Sequence, residues 1–445
     1  MARSALLAGA LLVGFVLAPI VEDRALAADD LGEKAAEFAR LLSQGNWAKA
    51  ASAFDSAVRK ALPPQKLQGA WNSLVSQSGQ FKRQVGVRGE KEGGREARYV
   101  TCEFEKATID VKVIFNQSGQ IAGLWFLPGQ ARAGYGPPAY AKPGSFEERE
   151  VTVGSEEWAL PGTLSMPNGF APFPAVVLVH GSGPHDRDET VGPNKPFRDL
   201  AWGLASRGIA VLRYDKRTQV HAGKLAAAQV TVNEETVEDA LAAVSLLQGR
   251  REIAGERVFV LGHSLGGMMI PRIGKRNPEI AGLILVAGSA RPLEDVILEQ
   301  MNYIFALDGS ISDEEKRALE DMAGKVAKVK DPELSSGTLS SVLPFAVPAS
   351  YWLDLRGYDA AGEAKGLRQP MLILQGGRDY QVTMKDLERW KAALSSRDDV
   401  VFKVYPSLNH LFVAGQGKSA PKEYERPGHV AEEVVEDIAG WIKTH

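Results

Sequence analysis

The sequence predicts two folded domains: a small α+β domain, then a larger α/β domain with a mostly parallel sheet, helices on both faces and a helical lid. From Phe146 onward, short apolar segments rich in branched residues alternate with amphipathic helical segments, as is typical of a parallel sheet covered on both faces. Before residue 128, the hydrophobic period changes once from helical spacing to alternation, which indicates a separate α+β domain. The chain has 445 residues, enough for two hydrophobic cores.

The first 27 residues are predicted to be a secretory signal peptide. Arg3 gives a short positive start, residues 5–17 are uncharged and mostly apolar, and Ala25-Leu26-Ala27 has the small-x-small form of a cleavage site. We therefore expect an exported protein, periplasmic or secreted, whose mature form has no membrane span. The alternative is an uncleaved N-terminal anchor, although the apolar stretch is short for a membrane helix.

The composition argues against several classes of function. The formal net charge is −3 without a long run of Lys or Arg, so nothing indicates binding to nucleic acid. Cys102 is the only cysteine, which excludes an intramolecular disulfide. The segment His185-Asp186-Arg187-Asp188 could be taken for a metal cluster. A single His among alternating charges is better explained as a polar rim, and we expect no metal site.

Residues 29–128 are predicted to form the small domain. Apolar residues recur at helical spacing as far as Val75, and alternation follows. The alternation predicts four strands, at residues 84–87, 97–103, 108–115 and 121–126. The domain has no His and no carboxylate cluster that resembles a site, so we assign it no chemistry and identify no partner for it. Residues 129–145 are rich in Gly and Pro and are predicted to be an extended linker.

Residues 146–445 carry the α/β pattern. An antiparallel pair of strands is predicted first, at residues 148–153 and 158–166. Six further strands are predicted at residues 175–180, 209–214, 258–262, 280–287, 371–375 and 400–405. Five helices are predicted at residues 197–206, 234–247, 265–276, 384–394 and 429–443. Residues 290–350 interrupt this alternation with a mainly helical insertion, which we expect to overhang the carboxyl ends of the strands as a lid.

The stretch Val258–Gly267 contains the candidate nucleophile. An apolar, β-branched strand breaks at Gly262, Ser264 follows at a tight corner, and Gly266 leads into a helical pattern. This is the form G-x-S-x-G of a nucleophile elbow, in which the glycines let strand and helix pass closely and the hydroxyl stands above the sheet edge. A structural serine in a glycine-rich turn is the alternative, but the strand before it and the helix after it favour Ser264 as the nucleophile.

A serine nucleophile needs a base, and the base needs a carboxylate that fixes its tautomer. After the elbow the chain contains only His410, His429 and His445, and His410 lies just past the last strand. Asp379 follows the strand at residues 371–375 in a glycine-rich turn that faces the same edge. We therefore predict His410 as the base and Asp379 as the acid. Three other aspartates precede that strand or lie in the insertion and fit the role less well: Asp308, Asp354 and Asp359.

Two backbone N–H groups are needed near the nucleophile to stabilise an oxyanion. One is expected from Leu265, the residue after the nucleophile. The other is expected from the small-residue loop after the strand at residues 175–180. In that loop we favour the N–H of Ser182, with Gly183 as the close alternative.

The predicted lid carries more apolar surface than a solvent-facing loop should. Its apolar side chains either form a core of their own or line an acyl pocket above Ser264. We expect at least one of Tyr303 and Phe305 to contact the substrate.

Six motifs give the larger domain a family resemblance. They are His180-Gly-Ser-Gly-Pro184, Gly192-Pro-Asn-Lys-Pro-Phe197, Arg213-Tyr-Asp-Lys-Arg217, Gly262-His-Ser-Leu-Gly266, Gly377-Arg-Asp379 and Asn409-His410. The domain resembles the α/β-hydrolase superfamily, and more narrowly exported bacterial carboxylesterases related to the serine aminopeptidase branch. The N-terminal domain is similar to an uncharacterised domain often found ahead of such hydrolases. The resemblance implies an α/β-hydrolase fold and esterase activity on small acyl esters, without a metal or organic cofactor.

These observations predict a serine hydrolase that cleaves small carboxylic esters through an acyl-enzyme, with a small-molecule ester as its partner. Two alternatives stay open. A serine aminopeptidase would need a carboxylate pair for the amino group of its substrate, and Glu294-Asp295 or residues 313–315 are candidates. Alternatively, the N-terminal domain binds a cell-envelope polymer or a partner, and the hydrolase activity is secondary.

Overall fold

A computed structural model describes residues 30–92, 95–128, 135–154, 156–225 and 230–445. These residues divide into two compact units, one before Tyr135 and one from Tyr135 to His445. The predicted signal peptide at residues 1–27 and the first part of the predicted linker lie outside the described residues. In the described part of the chain, no helix combines the length and the apolar character that a membrane span requires.

In its described residues, the N-terminal unit contains four helices and an antiparallel sheet. Its helices are α1 (Asp30–Ser43), α2 (Trp47–Ser52), α3 (Ser56–Ala61) and α4 (Pro64–Ser78). Its strands, paired in chain order, are β1 (Phe81–Glu92), β2 (Arg95–Phe104), β3 (Thr108–Phe115) and β4 (Ile121–Pro128). The side chains of Asn46 and Asp55 cap α2 and α3 by accepting hydrogen bonds from backbone N–H groups. Phe38 and Trp71 lie in the hydrophobic core of this unit.

Strand β1 is longer than the strand predicted at residues 84–87. Its ladder with β2 continues through two irregular steps, one between Phe81 and Arg83 and one between Gln84 and Gly86. Such bulges break the alternation of polar and apolar residues on which the prediction depends. The other three predicted strands of this unit lie within β2, β3 and β4.

The larger unit is built on one eight-stranded sheet. Its strands are β5 (Phe146–Val153), β6 (Leu160–Pro167), β7 (Phe173–Val179), β8 (Ala210–Tyr214), β9 (Ile253–His263), β10 (Gly282–Val286), β11 (Met371–Gly376) and β12 (Val400–Tyr405). Their order across the sheet is β12-β11-β10-β9-β7-β8-β6-β5. All neighbours from β12 to β8 are parallel, whereas β6 pairs antiparallel with both β8 and β5.

Helices cover both faces of this sheet. They are α5 (Pro196–Ala205), α6 (Arg217–Val220), α7 (Ala222–Leu225), α8 (Asp239–Gln248), α9 (Leu265–Arg276), α10 (Leu293–Phe305), α11 (Asp313–Lys330), α12 (Ala349–Leu355), α13 (Ala360–Ala364), α14 (Met384–Leu394) and α15 (Glu432–Thr444). A π-helical segment, Asn233–Glu238, leads into α8. Short 3₁₀ turns lie at Pro143–Ser145, Glu156–Trp158, Ser340–Val342, Pro344–Ala346 and Pro421–Glu425.

The two layers of core are visible in the side chains of β9. Val258 and Val260 pack in a cluster with α8 and α9, whereas Phe259 and Leu261 pack in a second cluster with α5 and α15. Because successive side chains of a strand point to opposite faces, a continuous apolar run buries both faces of the sheet.

Two elements begin later than predicted because their predicted first residues take part in other contacts or turns. The last helix begins three residues later than predicted, since His429 Nδ1 and the N–H of Val430 both lie 2.9 Å from the carboxylate of Asp199. Strand β6 begins two residues later than predicted, since Glu156–Trp158 forms a 3₁₀ turn.

Residues 290–350 contain α10, α11 and two of the 3₁₀ turns. At the base of this insertion, Arg291 donates hydrogen bonds to both carboxylate oxygens of Asp386 in α14, at 3.1 and 2.7 Å. Apolar side chains of the insertion, among them Met301 and Phe305, belong to the same hydrophobic cluster as the sheet. The insertion is therefore packed onto the body of the unit and has no separate core.

Candidate active site

Ser264 lies at the junction of β9 and α9 in a strained conformation. Its φ is 54° and its ψ is −114°, a region that residues with a Cβ rarely adopt. The close passage of chains around it requires glycine at two positions. A Cβ on Gly262 would collide with the backbone of Gly266, and a Cβ on Gly266 would collide with the carbonyl of Val179. The structure thus places Ser264 at a tight strand-to-helix corner, as the elbow motif predicts.

His410 and Asp379 are joined by a short hydrogen bond. The Nδ1–H of His410 donates to Oδ2 of Asp379 at 2.7 Å, and both side chains are buried. The other carboxylate oxygen accepts the N–H groups of Gln381 and Val382 at 2.8 and 3.0 Å. With its carboxylate fixed by the backbone, Asp379 can hold the imidazole in the tautomer whose Nε2 is free to accept a proton.

The loop that carries His410 is tied to the elbow. The Nε2 of His263, the residue before the candidate nucleophile, lies 3.0 Å from the backbone oxygen of His410. The two imidazole rings have their centroids 4.6 Å apart. Asn409 shapes the same loop, since its side-chain oxygen accepts the N–H groups of Leu411 and Val413 at 3.0 and 3.1 Å. The structure therefore brings Ser264 and His410 to one region of the sheet edge.

A small cavity of about 30 Å³ opens at Ser264. Ser182 and Leu265, the residues predicted to supply the oxyanion donors, line it together with Ser264. The rest of its wall consists of Met268, Ser289, Leu293, Val296, Ile297, Gln300, Phe345, Gln381 and Val382. Gly183, the alternative donor, is not in this wall; it has a φ of 90°, and its carbonyl accepts a hydrogen bond from the Thr218 hydroxyl at 3.4 Å. A volume of this order holds one or two water molecules.

Tyr303 and Phe305 occupy places outside this wall. Phe305 is buried in the core cluster beneath the lid, with 3 % of its surface exposed. Tyr303 stacks on Tyr380 with the ring centroids 5.1 Å apart, and its hydroxyl donates to the carbonyl of Ser419 at 2.8 Å.

The helical phase of α10 explains this placement. Residues that recur at three- and four-residue intervals share one face of a helix. On α10 the face toward the cavity is formed by Leu293, Val296, Ile297 and Gln300. Their spacing of three, one and three residues is visible in the sequence and could have identified the cavity face. The prediction instead favoured the two aromatic residues, Tyr303 and Phe305.

A buried carboxylate supports the loop that carries Ser182. Oε1 of Glu189 accepts the N–H of Gly181 at 2.6 Å, and Oε2 lies 2.9 Å from Nδ1 of His263. The other ring nitrogen of His263 faces the carbonyl of His410, so both nitrogens of this ring face oxygen acceptors. That environment favours the doubly protonated, charged imidazole. Glu189 has a φ of 51°, and such strain often accompanies a functional site.

The protonation of this pair follows from its burial and its charges. Burial alone would lower the pKa of His263, but the charge of Glu189 and contact with its carboxylate outweigh it, so the pKa lies above the ordinary value. Burial alone would raise the pKa of Glu189, but the charge of His263 and contact with its ring lower it to about 2. Sequence reasoning assigned no role to either residue, because a carboxylate in a polar loop looks solvated until its partner is known.

We expect Glu189→Gln to destabilise the protein most in mildly acidic solution. A raised histidine pKa stabilises the fold fully below 6.5 and ceases to do so as the pH rises through the folded value. A lowered carboxylate pKa stabilises it above 4.5 and ceases to do so as the pH falls toward 2. The loss should therefore be largest between about pH 4.5 and 6.5, on the order of 3–5 kcal/mol, and should shrink at higher pH. Urea unfolding across this range measures it, and a loss independent of pH would contradict the charged pair.

The charges of residues 185–188 have structural partners. Arg187 binds the carboxylate of Asp215 with two guanidinium nitrogens, at 3.1 and 3.0 Å. Asp188 is surrounded by three cations at 2.7 to 3.0 Å: Lys195, Arg198 and Arg213. In the described part of the chain, no group of three His, Cys, Asp or Glu side chains is arranged to hold a metal ion.

The carboxylates that an aminopeptidase could use lie elsewhere. Asp295 pairs with Lys330, and Glu315 caps its own helix through Ser312. None of the described residues that line the cavity at Ser264 is charged. Within that part of the chain, the wall offers no carboxylate to bind the ammonium group of a peptide substrate.

This arrangement places the protein in the class of α/β-hydrolases. Residues 171–416 match the family described as serine aminopeptidase, S33, and residues 35–124 match a family described as a protein of unknown function, DUF3887. The chain therefore belongs to the S33 family of hydrolases and is an enzyme. The predicted fold class is confirmed, and so is the similarity of the N-terminal domain to an uncharacterised domain.

Relatives of the chain are known. Esterase EstD of Thermotoga maritima is 42 % identical over 405 residues, which cover 91 % of this chain and 93 % of that protein. An esterase of Pyrococcus furiosus is 18 % identical with a TM-score of 0.45, over 69 % of this chain and 97 % of that structure. The esterase domain of a Rhodothermus marinus protein is 17 % identical with a TM-score of 0.41, over 67 % and 98 %.

Proposed function

We propose that the protein is a serine hydrolase that cleaves carboxylic esters with small acyl groups through an acyl-enzyme. The observation that carries the proposal is the pairing of His410 with Asp379 at 2.7 Å, on a loop whose backbone contacts His263, the residue before the strained Ser264. The uncharged cavity at Ser264 supports an ester substrate, and the relative from Thermotoga maritima carries the name of an esterase.

In the proposed reaction, Oγ of Ser264 attacks the carbonyl carbon of the ester while Nε2 of His410 accepts the hydroxyl proton. The electron pair of the carbonyl bond moves to its oxygen, and the N–H groups of Leu265 and Ser182 donate hydrogen bonds to the resulting oxyanion. Collapse of this intermediate re-forms the carbonyl and expels the alcohol, which takes the proton from His410. Water then attacks the acyl-enzyme while His410 accepts its proton and the same N–H groups bind the oxyanion. Collapse of this second intermediate releases the acid and returns the proton to Ser264.

A preference for small acyl groups follows from the size of the cavity. A free volume of about 30 Å³ leaves little room for a long acyl chain unless side chains move. The wall on the lid side is formed by four apolar side chains and one uncharged amide: Leu293, Val296, Ile297, Phe345 and Gln300. Short, uncharged acyl groups therefore suit it best.

Hydrolysis of nitrophenyl esters, compared with that of aminoacyl anilides, tests the proposed reaction. The purified protein should release nitrophenol from short acyl esters, and slowly or not at all from the anilides. Faster cleavage of the anilides would overturn the proposal in favour of an aminopeptidase.

We expect Phe345→Ala to shift the preference toward longer acyl chains. Phe345 lines the cavity, so its truncation makes room for additional methylene groups. Each methylene newly buried contributes about 0.8 kcal/mol, about fourfold in kcat/KM. Measuring kcat/KM over a series of esters of increasing chain length reveals the shift.

Phe305→Ala is the matched control, because it removes the same side chain from the core of the same lid. It should lower the free energy of unfolding by about 3–5 kcal/mol and leave the chain-length profile as in the native protein. Identical profiles in the two variants would show that Phe345 does not limit the acyl group.

We also propose that the protein is exported, as the charge and hydropathy of residues 1–27 indicate. N-terminal sequencing of the protein isolated from its own cells tests this. The mature chain should begin at Ala28 or within a residue or two of it, and a chain that keeps Met1 would favour an anchor.

A further inference from the structure

The carbonyl group of Gly181 is held by a buried lysine. Lys216 follows β8, and its Nζ lies 2.7 Å from the carbonyl oxygen of Gly181 and 2.8 Å from Oε1 of Glu235. Only 2 % of the Lys216 side chain is exposed. Lysine is almost never fully buried unless it is paired, because the loss of hydration costs several kcal/mol. A lysine in this position therefore suggests a role beyond surface solvation.

The peptide group that Lys216 contacts also contains a proposed oxyanion donor. The carbonyl of Gly181 and the N–H of Ser182 belong to the same planar unit. This unit is trans, since the only cis bond among the described residues joins Ala171 and Pro172. In a trans peptide the C=O and N–H point in opposite directions, so a cation at the oxygen directs the N–H away from itself. Ser182 lies in the wall of the cavity that contains Ser264.

The cation also affects the strength of the donor. A charged donor at a carbonyl oxygen draws electron density toward that oxygen, and the N–H of the same peptide becomes more positive. Such polarisation is largest where water is excluded, as it is around Lys216. A more positive, correctly aimed N–H binds a developing oxyanion more tightly than it binds a neutral carbonyl oxygen.

Two acidic residues complete the support of this loop. Glu189 fixes the peptide group before Gly181 by accepting the N–H of Gly181, and Lys216 fixes the peptide group after it. Glu235, the counter-ion of Lys216, is buried and lies in the π-helical segment Asn233–Glu238. Single π-helical turns inside helices are rare and occur frequently at functional sites. Both peptide groups of Gly181 are thus held by buried charged side chains.

We propose that Lys216 is a positioning residue of the oxyanion hole, which aims and polarises the N–H of Ser182 through the carbonyl of Gly181. This inference rests on the proposed function, since it assumes that an oxyanion forms at Ser264. Lys216 does not touch the substrate, and its effect should therefore fall on the transition state with little change in substrate binding.

The neighbouring ion pair provides a matched control. Arg217 is the next residue, and its guanidinium group pairs with the buried Asp239, with Nε 3.0 Å from Oδ2. Removal of either cation leaves a buried carboxylate unpaired, with a comparable loss of stability. Of the two cations, Lys216 contacts the carbonyl of Gly181, whereas the hydrogen bonds of Arg217 go to Asp239.

The experiment compares Lys216→Met with Arg217→Met on a nitrophenyl ester and on a trifluoromethyl ketone, whose adduct with a serine carries an oxyanion. In Lys216→Met we expect kcat to fall about tenfold to a hundredfold, less than the 10²- to 10³-fold typical of deleting a donor, while KM changes less than about threefold. Affinity for the ketone should fall by the same factor as kcat. In Arg217→Met, kcat and ketone affinity should stay within about threefold of the native values.

A double variant keeps the test meaningful if Lys216→Met does not fold. Replacing Lys216 and Glu235 together by Met removes the whole ion pair, and such apolar replacements are often neutral or stabilising. A folded double variant with native kcat, or equal losses in Lys216→Met and Arg217→Met, would overturn the role of Lys216 while leaving the proposed function intact. Failure of the native protein to cleave the ester would overturn the proposed function, and this inference with it.

Discussion

Ser264→Ala should keep the native fold and lose nearly all ester hydrolysis, with kcat lower by about 10⁴-fold or more. Alanine has the same Cβ as serine, so the strained backbone at φ 54° keeps the same steric environment. The hydroxyl that forms the acyl bond is lost, and only transition-state binding by the oxyanion donors can contribute to the remaining rate. Initial rates on a short nitrophenyl ester, with circular dichroism and thermal melting as checks of folding, measure the loss.

A fluorophosphonate probe locates the nucleophile independently of turnover. The native protein should gain one covalent adduct on Ser264, and the alanine variant none. Ser182 and Ser289 line the same cavity and carry the competing hydroxyl groups. An adduct on either of them, or full activity in a folded Ser264→Ala protein, would show that the elbow does not supply the nucleophile.

The position of Ser264 could be predicted because local sequence determines it. A β-branched strand, a glycine-rich corner and a helical pattern follow one another within Val258–Gly267, and the collisions that a Cβ would cause at Gly262 and Gly266 explain those glycines. His410 and Asp379 could be predicted for a related reason. In a parallel sheet every strand ends at the same edge, so residues just after two strands are brought together without knowledge of their contacts.

Contacts between distant loops could not be predicted in this way. Glu189, Lys216 and Glu235 lie in or beside connecting segments, where charged residues are usually solvated. The role of each residue is explained only by the contacts that form when the loops after β7 and β8 lie beside the π-helical segment before α8. Charge patterns in a sequence carry no information on which of many possible partners a buried charge will meet.

The lid illustrates a different limit. Its excess of apolar residues is visible in the sequence, but apolar residues on both sides of α10 serve two purposes. Met301 and Phe305 attach the helix to the core, whereas Val296 and Ile297 face the cavity. Hydrophobicity alone cannot distinguish these faces, because both remove apolar surface from water.

The hydrogen bonds around Asp379 determine what an amide would do in its place. One carboxylate oxygen accepts two backbone N–H groups, so the oxygen of an asparagine would remain on that side. Its NH₂ group would then face His410 Nδ1 and Gln375 Nε2. Gln375 could offer its amide oxygen to the asparagine only by turning its amide group over. That rotation would break the hydrogen bond that its Nε2 donates to the carbonyl of Val382 at 2.8 Å. Facing a donor, Nδ1 of His410 must become an acceptor, and the ring proton moves to Nε2.

Asp379→Asn should therefore lower kcat by about 10³- to 10⁴-fold, because a histidine protonated at Nε2 cannot accept the proton of Ser264. KM for a short ester should change little, since the cavity wall is untouched. Asp199→Asn is the matched control: Asp199 also accepts a hydrogen bond from a histidine Nδ1, that of His429 at 2.9 Å, and it does not line the cavity. We expect the control to melt at a lower temperature than the native protein but to keep kcat within about threefold. Equal losses of kcat in the two folded variants would mean that Asp379 acts on the fold and not on the tautomer of His410.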